Sequence, residues 1–310
     1  MVAMGLVPSL LEGALVTNDF PLFWINRDRL EPPFLSWLSK TKGFVELCQR
    51  ASEGTTNRVR LKEERFLALE IPLPPLSEQQ RIVARIEELS AHIAEVRLLK
   101  EKEFAEIRQL LLGEFLQITE NVTRKAMRDV APLVRRPVEI KSDALYPELG
   151  IRSFGNGTFH KPELSGFELG GKRIFKIEPG DLLFSNVFAW EGAIAVAMPK
   201  DAGRYGSHRF ITCTAKPGEI TAEFLRFYFL TNEGLALIRA ASPGGAGRNR
   251  TLGLDALSNI RVPVPSYELQ TRFDALQAEV DNLRHLQTQA TAELAALLPT
   301  ILNQAFEGEL

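Results

Sequence analysis

Ile71-Pro72-Leu73-Pro74-Pro75-Leu76-Ser77-Glu78-Gln79-Gln80-Arg81-Ile82-Val83 decides how the rest of the chain is read. Closely spaced prolines can neither continue a helix nor donate to a sheet interior, so this run is extended and closes whatever precedes it. The next stretch is helical. Glu78 to Gln117 has no proline and one glycine, and Ile82, Ile86, Leu89, Ile93 and Val96 advance by fours and threes, the spacing of a heptad seam. Ser77 with Gln80 reads as a capping box at its start. Lys100 interrupts the seam, which resumes at Phe104, Ile107 and Leu111. A helix of about 40 residues runs roughly 60 Å, too long for an ordinary globular helix and suited to a coiled coil.

The signature recurs. Val262-Pro263-Val264-Pro265 precedes a second helical stretch, Tyr267 to Phe306, in which Phe273, Leu276, Val280, Leu283, Gln287, Ala290, Leu294, Leu297 and Ile301 keep the same spacing. Pro299 is expected to kink it near its end. Phe20 and Phe210 are 190 apart, as are Phe34-Leu35 and Phe224-Leu225. Gly43 and Gly234, Leu61 and Leu252, Gln79 and Gln270, and Phe115 and Phe306 are 191 apart, and Asn57-Arg58 falls opposite Arg248-Asn249. The chain is a duplicated unit, a globular domain followed by a long helix. The globular blocks carry short extended runs such as Gly192 to Ala197 and Phe210 to Thr214, which read as mixed α+β. The expected organisation is a partial first globular domain over 1–75, a first long helix over 76–120, a complete second domain over 121–265 and a second long helix over 266–310, the two helices pairing antiparallel. The first domain is short because Pro8 already aligns with Pro199, so about seventy residues at its front have no counterpart.

Composition narrows the function classes. The 310 residues are 45% hydrophobic and 25% charged, ordinary values that exclude global disorder. No apolar stretch reaches the ~18 residues of a membrane span, and residues 1–15 lack the basic start of a secretory signal. Cys48 and Cys213 are the only cysteines, which excludes a disulfide framework and a cysteine zinc site and points to a reducing cytoplasm. The net charge of −2 conceals an asymmetry. Residues 121–265 carry 20 basic and 14 acidic side chains, whereas 78–120 carry 6 and 9, and 266–310 carry 2 and 7. A polyanion would meet the second globular domain, and the acidic helices would serve packing or protein partners.

The proline run with its Glu-Gln-Gln helix start resembles the conserved region of the specificity (S) subunit of Type I restriction-modification systems. Gly180-Asp181-Leu182-Leu183-Phe184-Ser185 and Ser52-Glu53-Gly54-Thr55-Thr56-Asn57 resemble segments of that family's target-recognition domains, and Asn303 to Leu310 resembles its ending. The resemblance implies a non-enzymatic reader of double-stranded DNA in host defence. Two recognition domains each read half of a bipartite sequence, and two helices set the spacing between halves. Methyltransferase (M) subunits that carry S-adenosylmethionine bind around the helices, and restriction (R) subunits join to cleave. The chain itself is expected to hold no cofactor and no metal.

Several residues are candidates for DNA contact. Arg248-Asn249-Arg250 follow the glycine-rich run Ser242 to Gly247, which permits close backbone approach to phosphate, and arginine bridges phosphate or guanine. Asn57, Arg58 and Arg60 stand at the matching place in the first copy. Ser207, His208 and Arg209 precede a strand, with Thr17 and Asn18 at their repeat position. Ser185 and Asn186 end another extended run, and Asn186 is of the type that pairs with adenine. Arg152 lies in a glycine-rich turn region. The competing reading of each is a solvated loop or a turn satisfying its own backbone. Phe188 and Trp190 read as core. His92, His160, His208 and His285 have no metal-ligand spacing, and Glu31-Pro32-Pro33-Phe34, which superficially resembles an amino-methyltransferase motif, reads as a helix start. The alternative to a full reader is an S-like scaffold that binds methyltransferase subunits but reads one half-site or none. Self-association of two incomplete chains is a further possibility.

Overall fold

The computed structural model describes all residues except 1–3, 12, 18–19, 56–57, 245–249 and 308–310. The side chains of residues 9, 55, 58, 59 and 307 also lie outside the description. In chain order the elements are α1 (Pro32–Leu38), α2 (Lys42–Arg50), β1 (Ser52–Thr55), β2 (Arg58–Leu61), α3 (Glu63–Leu67) and the long α4 (Leu76–Thr119). Then come β3 (Arg124–Ala126), α5 (Met127–Val130), β4 (Leu133–Val134), β5 (Leu145–Ile151), β6 (Thr158–Ser165), α6 (Gly166–Leu169), β7 (Ile174–Lys176), β8 (Leu182–Ser185) and β9 (Ile194–Val196). The chain finishes with β10 (Tyr205–Ser207), β11 (Phe210–Cys213), α7 (Ala222–Leu230), α8 (Asn232–Ala240), α9 (Leu254–Asn259), β12 (Arg261–Pro263) and the long α10 (Tyr267–Glu307). The fold is α+β. Two compact units share the long helices, one comprising 1–106 and 282–310, the other 107–281.

In the first unit the core is helical. Phe34 and Leu38 of α1 and Phe44 and Cys48 of α2 pack with Ile82, Val83 and Ile86 of α4 and Leu302 and Ala305 of α10. Phe34 meets Phe306 edge-on at 5.0 Å. Pro32 and Pro33 open α1 as its first two residues, where a missing N–H costs nothing. Further along, the Gln287 amide donates to the Lys100 carbonyl (2.6 Å). The start of α4 therefore lies beside the end of α10, and its residue 100 beside residue 287, so the helices run antiparallel here. Burial is concentrated at that end. The expected seam positions Val96, Leu283 and Leu297 are exposed, because each helix of a two-helix ribbon is covered from one side only. The seam break at Lys100 is a polar cross-link.

The second unit is larger. One four-stranded sheet has the order β6-β5-β10-β7 and another β4-β11-β8-β9, with β12-β3 as a two-stranded ladder. Strands β9 and β11 are buried along their whole length, as is β8 up to Ser185, which is why they read as unbroken apolar runs rather than alternating ones. Phe229 of α7 closes on Phe184 of β8 edge-on at 5.4 Å. Phe115 near the end of α4 sits among Phe224, Phe227 and Phe273, with ring centroids 4.9–5.4 Å apart. Phe115 against Phe273 repeats the antiparallel meeting of α4 and α10 within this unit.

The duplication is visible bond by bond. Gln79 and Gln270 are both fully buried. Gln79 Oε1 accepts from the Glu31 N–H (2.9 Å), and its Nε2 donates to the Arg29 and Pro74 carbonyls (both 2.8 Å). Gln270 Oε1 accepts from the Thr221 N–H (3.0 Å), and its Nε2 donates to the Glu219 and Pro265 carbonyls (3.0 and 2.9 Å). Thr41 caps α2 and Thr231 caps α8, while Ser52 and Ser242 each donate to a carbonyl four residues back (2.7 Å). These last two pairs are 190 apart.

Three expectations need correction. The register remains 190 through Ser52, so Gly43 is not the counterpart of Gly234 and the slip falls between Ser52 and Leu61. Gly234 is compelled, since a Cβ there would lie 2.1 Å from the Tyr228 carbonyl oxygen, whereas Gly43 has nothing within 4 Å. The Ser77–Gln80 capping box does not form, because α4 already begins at Leu76 and the Gln80 amide donates to the Glu31 carboxylate. Finally, Phe20 does not share the environment of Phe210: it is 66% exposed, and Phe210 is 9% exposed.

Candidate nucleic-acid interface

In the second unit, strand pairing brings together residues far apart in sequence. β8 and β11 are antiparallel with Ser185 opposite Phe210, so the end of β8 meets the turn that enters β11. The Asn186 N–H donates to the Arg209 carbonyl (2.7 Å), and the Leu252 N–H donates to the Asn186 carbonyl (2.9 Å). One backbone position thus ties the 207–209 turn to the end of the glycine-rich loop. From Asn186 the chain continues through Val187 to Gly192, and this connector holds two further groups. The Arg250 guanidinium lies over the Trp190 ring, 5.1 Å from its centroid, and Arg239 Nε donates to the Trp190 carbonyl (3.2 Å). On its other side the β5–β6 turn docks, with Phe154 N–H on the Glu191 carbonyl (2.9 Å) and Gly155 N–H on the Gly192 carbonyl (2.8 Å).

The structure therefore gathers Ser185, Asn186, Ser207, His208, Arg209, Arg250 and the Arg152 turn into one loop cluster. His208 and Arg209 are exposed, and Ser185, Asn186, Ser207 and Arg250 are half-buried. Arg152 is exposed but partly committed: its Nη1 donates to the Thr158 carbonyl (2.6 Å) and its plane lies 5.0 Å from the Phe159 centroid. Asn186 Oδ1 is enclosed and has no hydrogen-bond partner among the described residues. Bidentate pairing with adenine needs both ends of the amide, so this orientation does not offer it and the side chain must turn to do so. Arg248 and Asn249 lie outside the described residues.

The first-copy candidates have less around them. Thr17 is exposed in an irregular segment, and Arg60 is exposed on β2 opposite Glu53. Arg58 begins β2, though its side chain is outside the described residues, as are Asn18 and Asn57. Phe188 is not core. It precedes a short turn in which Ala189 is the buried residue, and its ring is 38% exposed. Trp190 is half-buried, its indole N–H donating to the Val187 carbonyl (3.0 Å).

Two ionic networks hold the frame under the cluster, and neither is evident from spacing. Asp181, in the Gly-Asp-Leu-Leu-Phe-Ser segment, is 2% exposed. It accepts two bonds from Arg136 (2.7 and 3.1 Å), one from Thr214 (3.2 Å) and one from the Glu178 N–H (2.8 Å). Burial, aided by the Asp181 charge, pushes the neighbouring Cys213 thiol up to about 12. Asp201 is buried too, which raises its pKa, but bonds from the Met198 N–H, His160 and Thr158 outweigh burial and hold it below the usual carboxylate range. His160 is thereby a strut, and among the described residues no three His, Cys, Asp or Glu side chains are placed to hold a metal. No described helix is long and apolar enough to cross a membrane.

A family model described as the Type I restriction modification DNA specificity domain matches residues 30–103, which span α1, α2, the β1–β2 hairpin, α3, the proline run and the first part of α4. The fold agrees. The chain is similar to the HsdS subunit from Thermoanaerobacter tengcongensis, with a TM-score of 0.53 and 22% identity, covering 92% of this chain and 72% of that one. It is also similar to a chain solved in work on complex assembly and conformational transition of the type I R-M system, with a TM-score of 0.66 and 22% identity, covering 92% and 73%. No curated protein matches the chain in sequence.

Proposed function

We propose that this chain is a DNA-specificity subunit of a Type I restriction-modification complex, that it recognises double-stranded DNA through the loop cluster of its second unit, and that it directs methyltransferase and restriction subunits to the bound site. The observation that carries this is the convergence of the 152–157, 185–192 and 207–209 segments with Arg250 at one place, in the part of the chain with an excess of basic side chains. Arg209 and Arg250 supply phosphate or guanine contacts, and Ser185, Asn186, Ser207 and His208 supply shorter polar groups for base edges. In this reading the chain binds and its partners react. S-adenosylmethionine belongs to the methyltransferase subunits, and the complex works in the cytoplasm.

The test is duplex binding and methylation by the full chain, with its methyltransferase subunit, carrying Arg209→Ala and Arg250→Ala together. Affinity is expected to fall about tenfold or more, and the dependence of log affinity on log salt to become shallower by roughly two. Unchanged binding and unchanged methylation overturn the assignment.

A second reading is favoured by one feature of the first unit. Residues 4–24 carry exposed Leu6, Leu10, Leu15, Phe20 and Trp24, whereas their repeat positions 194–214 include β9, β10 and β11. A first domain lacking those strand partners would read no half-site, leaving a scaffold for methyltransferase subunits. Methylome sequencing separates the readings: an asymmetric bipartite motif shows two reading domains, a symmetric motif shows two chains each using their second unit, and no motif with intact co-purification shows the scaffold.

A further inference from the structure

Phe154 combines two features that the packing of the second unit does not require. Its φ is 61°, in the left-handed region that bulky side chains avoid. Its ring is 78% exposed, so no burial offsets the strain. Yet the backbone under the ring is held on several sides. The Phe154 and Gly155 N–H groups bond to the Glu191 and Gly192 carbonyls, and the Arg152 N–H bonds to the Gly157 carbonyl (2.9 Å). Ser153 Oγ donates to the Glu191 carboxylate (3.2 Å). Both docked glycines hold a left-handed backbone, with φ 68° at Gly155 and 77° at Gly192, a conformation that glycine adopts without strain. The structure thus presents an apolar ring on a fixed mount, and the mount is the same connector that carries Trp190 with its overlying Arg250.

We propose that Phe154 is a specificity-determining residue that reads an apolar feature of a base, the 5-methyl group of thymine. This inference rests on DNA recognition by the loop cluster. A phenyl ring has no donor or acceptor, so it gains nothing from phosphate and discriminates only where a base edge presents apolar surface. The fixed backbone leaves little to order on binding, which favours affinity. Arg152, two residues before Phe154, and Arg250, over the Trp190 ring of the connector on which Phe154 is mounted, favour nucleic acid over a protein partner as its occupant.

The experiment compares the wild-type full chain with Phe154→Gly, each with its methyltransferase subunit, by selection from a duplex pool randomised in sequence. Glycine accepts a positive φ without strain, so this variant should melt no lower than wild type and a folding defect is not confounded with lost contact. Expected are relaxation of preference at one thymine position, about tenfold weaker binding to the selected duplex, an unchanged salt slope, and equal loss when that thymine is replaced by uracil in wild type. Identical preferences in the two proteins overturn the proposal, as does weaker co-purification with the methyltransferase subunit at unchanged base preference. If wild type itself selects no sequence, the underlying reading of DNA recognition fails instead, and this inference with it.

Discussion

The paired glutamines offer the sharpest test of the architecture. Gln270→Ala removes one acceptor and both donors of a fully buried amide, stranding the Thr221 N–H and the Glu219 and Pro265 carbonyls. Each stranded group costs about 1–3 kcal/mol. Some carbonyl capacity is recovered by water entering the gap, so about 3–5 kcal/mol for the variant is reasonable. Each unit contains one buried cysteine, Cys48 in the first and Cys213 in the second, and burial raises both thiol pKa values. Native-state alkylation at pH 8 therefore reports opening of each unit separately. At about 1.4 kcal/mol per tenfold, the midpoint of that range accelerates labelling of Cys213 by roughly a thousandfold. Gln79→Ala, losing the same three bonds, should do this to Cys48. Mass spectrometry of the two cysteine-containing peptides reads both rates. Less than a tenfold change at the matching cysteine, or equal acceleration of both cysteines by either variant, refutes the clamp as a local fastening.

Further outcomes concern the two carboxylates that the frame encloses. Burial pushes Asp274 up to about 6, the Thr221 hydroxyl and Gln277 amide opposing this and the Glu223 charge adding to it. A carboxyl raised above its unfolded pKa of 3.8 contributes stability below that value and loses it as pH rises through 6. Asp274→Asn should therefore stabilise the protein at pH 7.5 by roughly 1–2 kcal/mol after solvent screening and change little at pH 3.5, as measured by urea unfolding. Asp181→Ala leaves the Arg136 guanidinium without its bidentate partner and should cost about 3–5 kcal/mol, lowering the urea midpoint and speeding Cys213 labelling. The same change at the exposed Glu163 should stay within about 0.5 kcal/mol.

How much was legible depended on the kind of interaction. The long helices were visible because Ile82, Ile86, Phe273 and Val280 recur at fixed spacing, and the duplication because Gln79 and Gln270 come after matched proline runs. The role of those glutamines was not visible. Two of the three partners of each are backbone groups some fifty positions upstream, and backbone groups leave no trace in composition. The middle of the ribbon misled for a related reason: a heptad pattern at Val96 or Leu283 gives the side on which an apolar residue lies, not whether a second layer covers it. Within the loop cluster, arginines and small polar residues after glycine-rich runs marked segments that the fold brings together, and those residue types suit phosphate and base edges. Phe154 carries no mark in the sequence, since an aromatic between Ser153 and Gly155 looks like ordinary turn filler.

The comparison of the two copies also separates what the fold must keep from what it can change. Every bond of the glutamine clamp is repeated, with its donor and acceptor roles intact, and the threonine caps and serine back-bonds repeat with it. Between Ser52 and Leu61 the first copy forms a two-stranded hairpin. Between Ser242 and Leu252, one residue longer, the second carries its glycine-rich loop with Arg250. The length change is absorbed there because both ends of the segment are already fastened: Lys62 N–H bonds to the Ala51 carbonyl (3.1 Å), and Gly253 N–H bonds to the Ala241 carbonyl (2.9 Å). A loop closed at its base by a fixed bond can vary in sequence and length at little cost to the core. That arrangement suits a reader of DNA. If the proposed function holds, altering a target requires changing those loops, while the Gln270 clamp continues to fasten the second unit to α10.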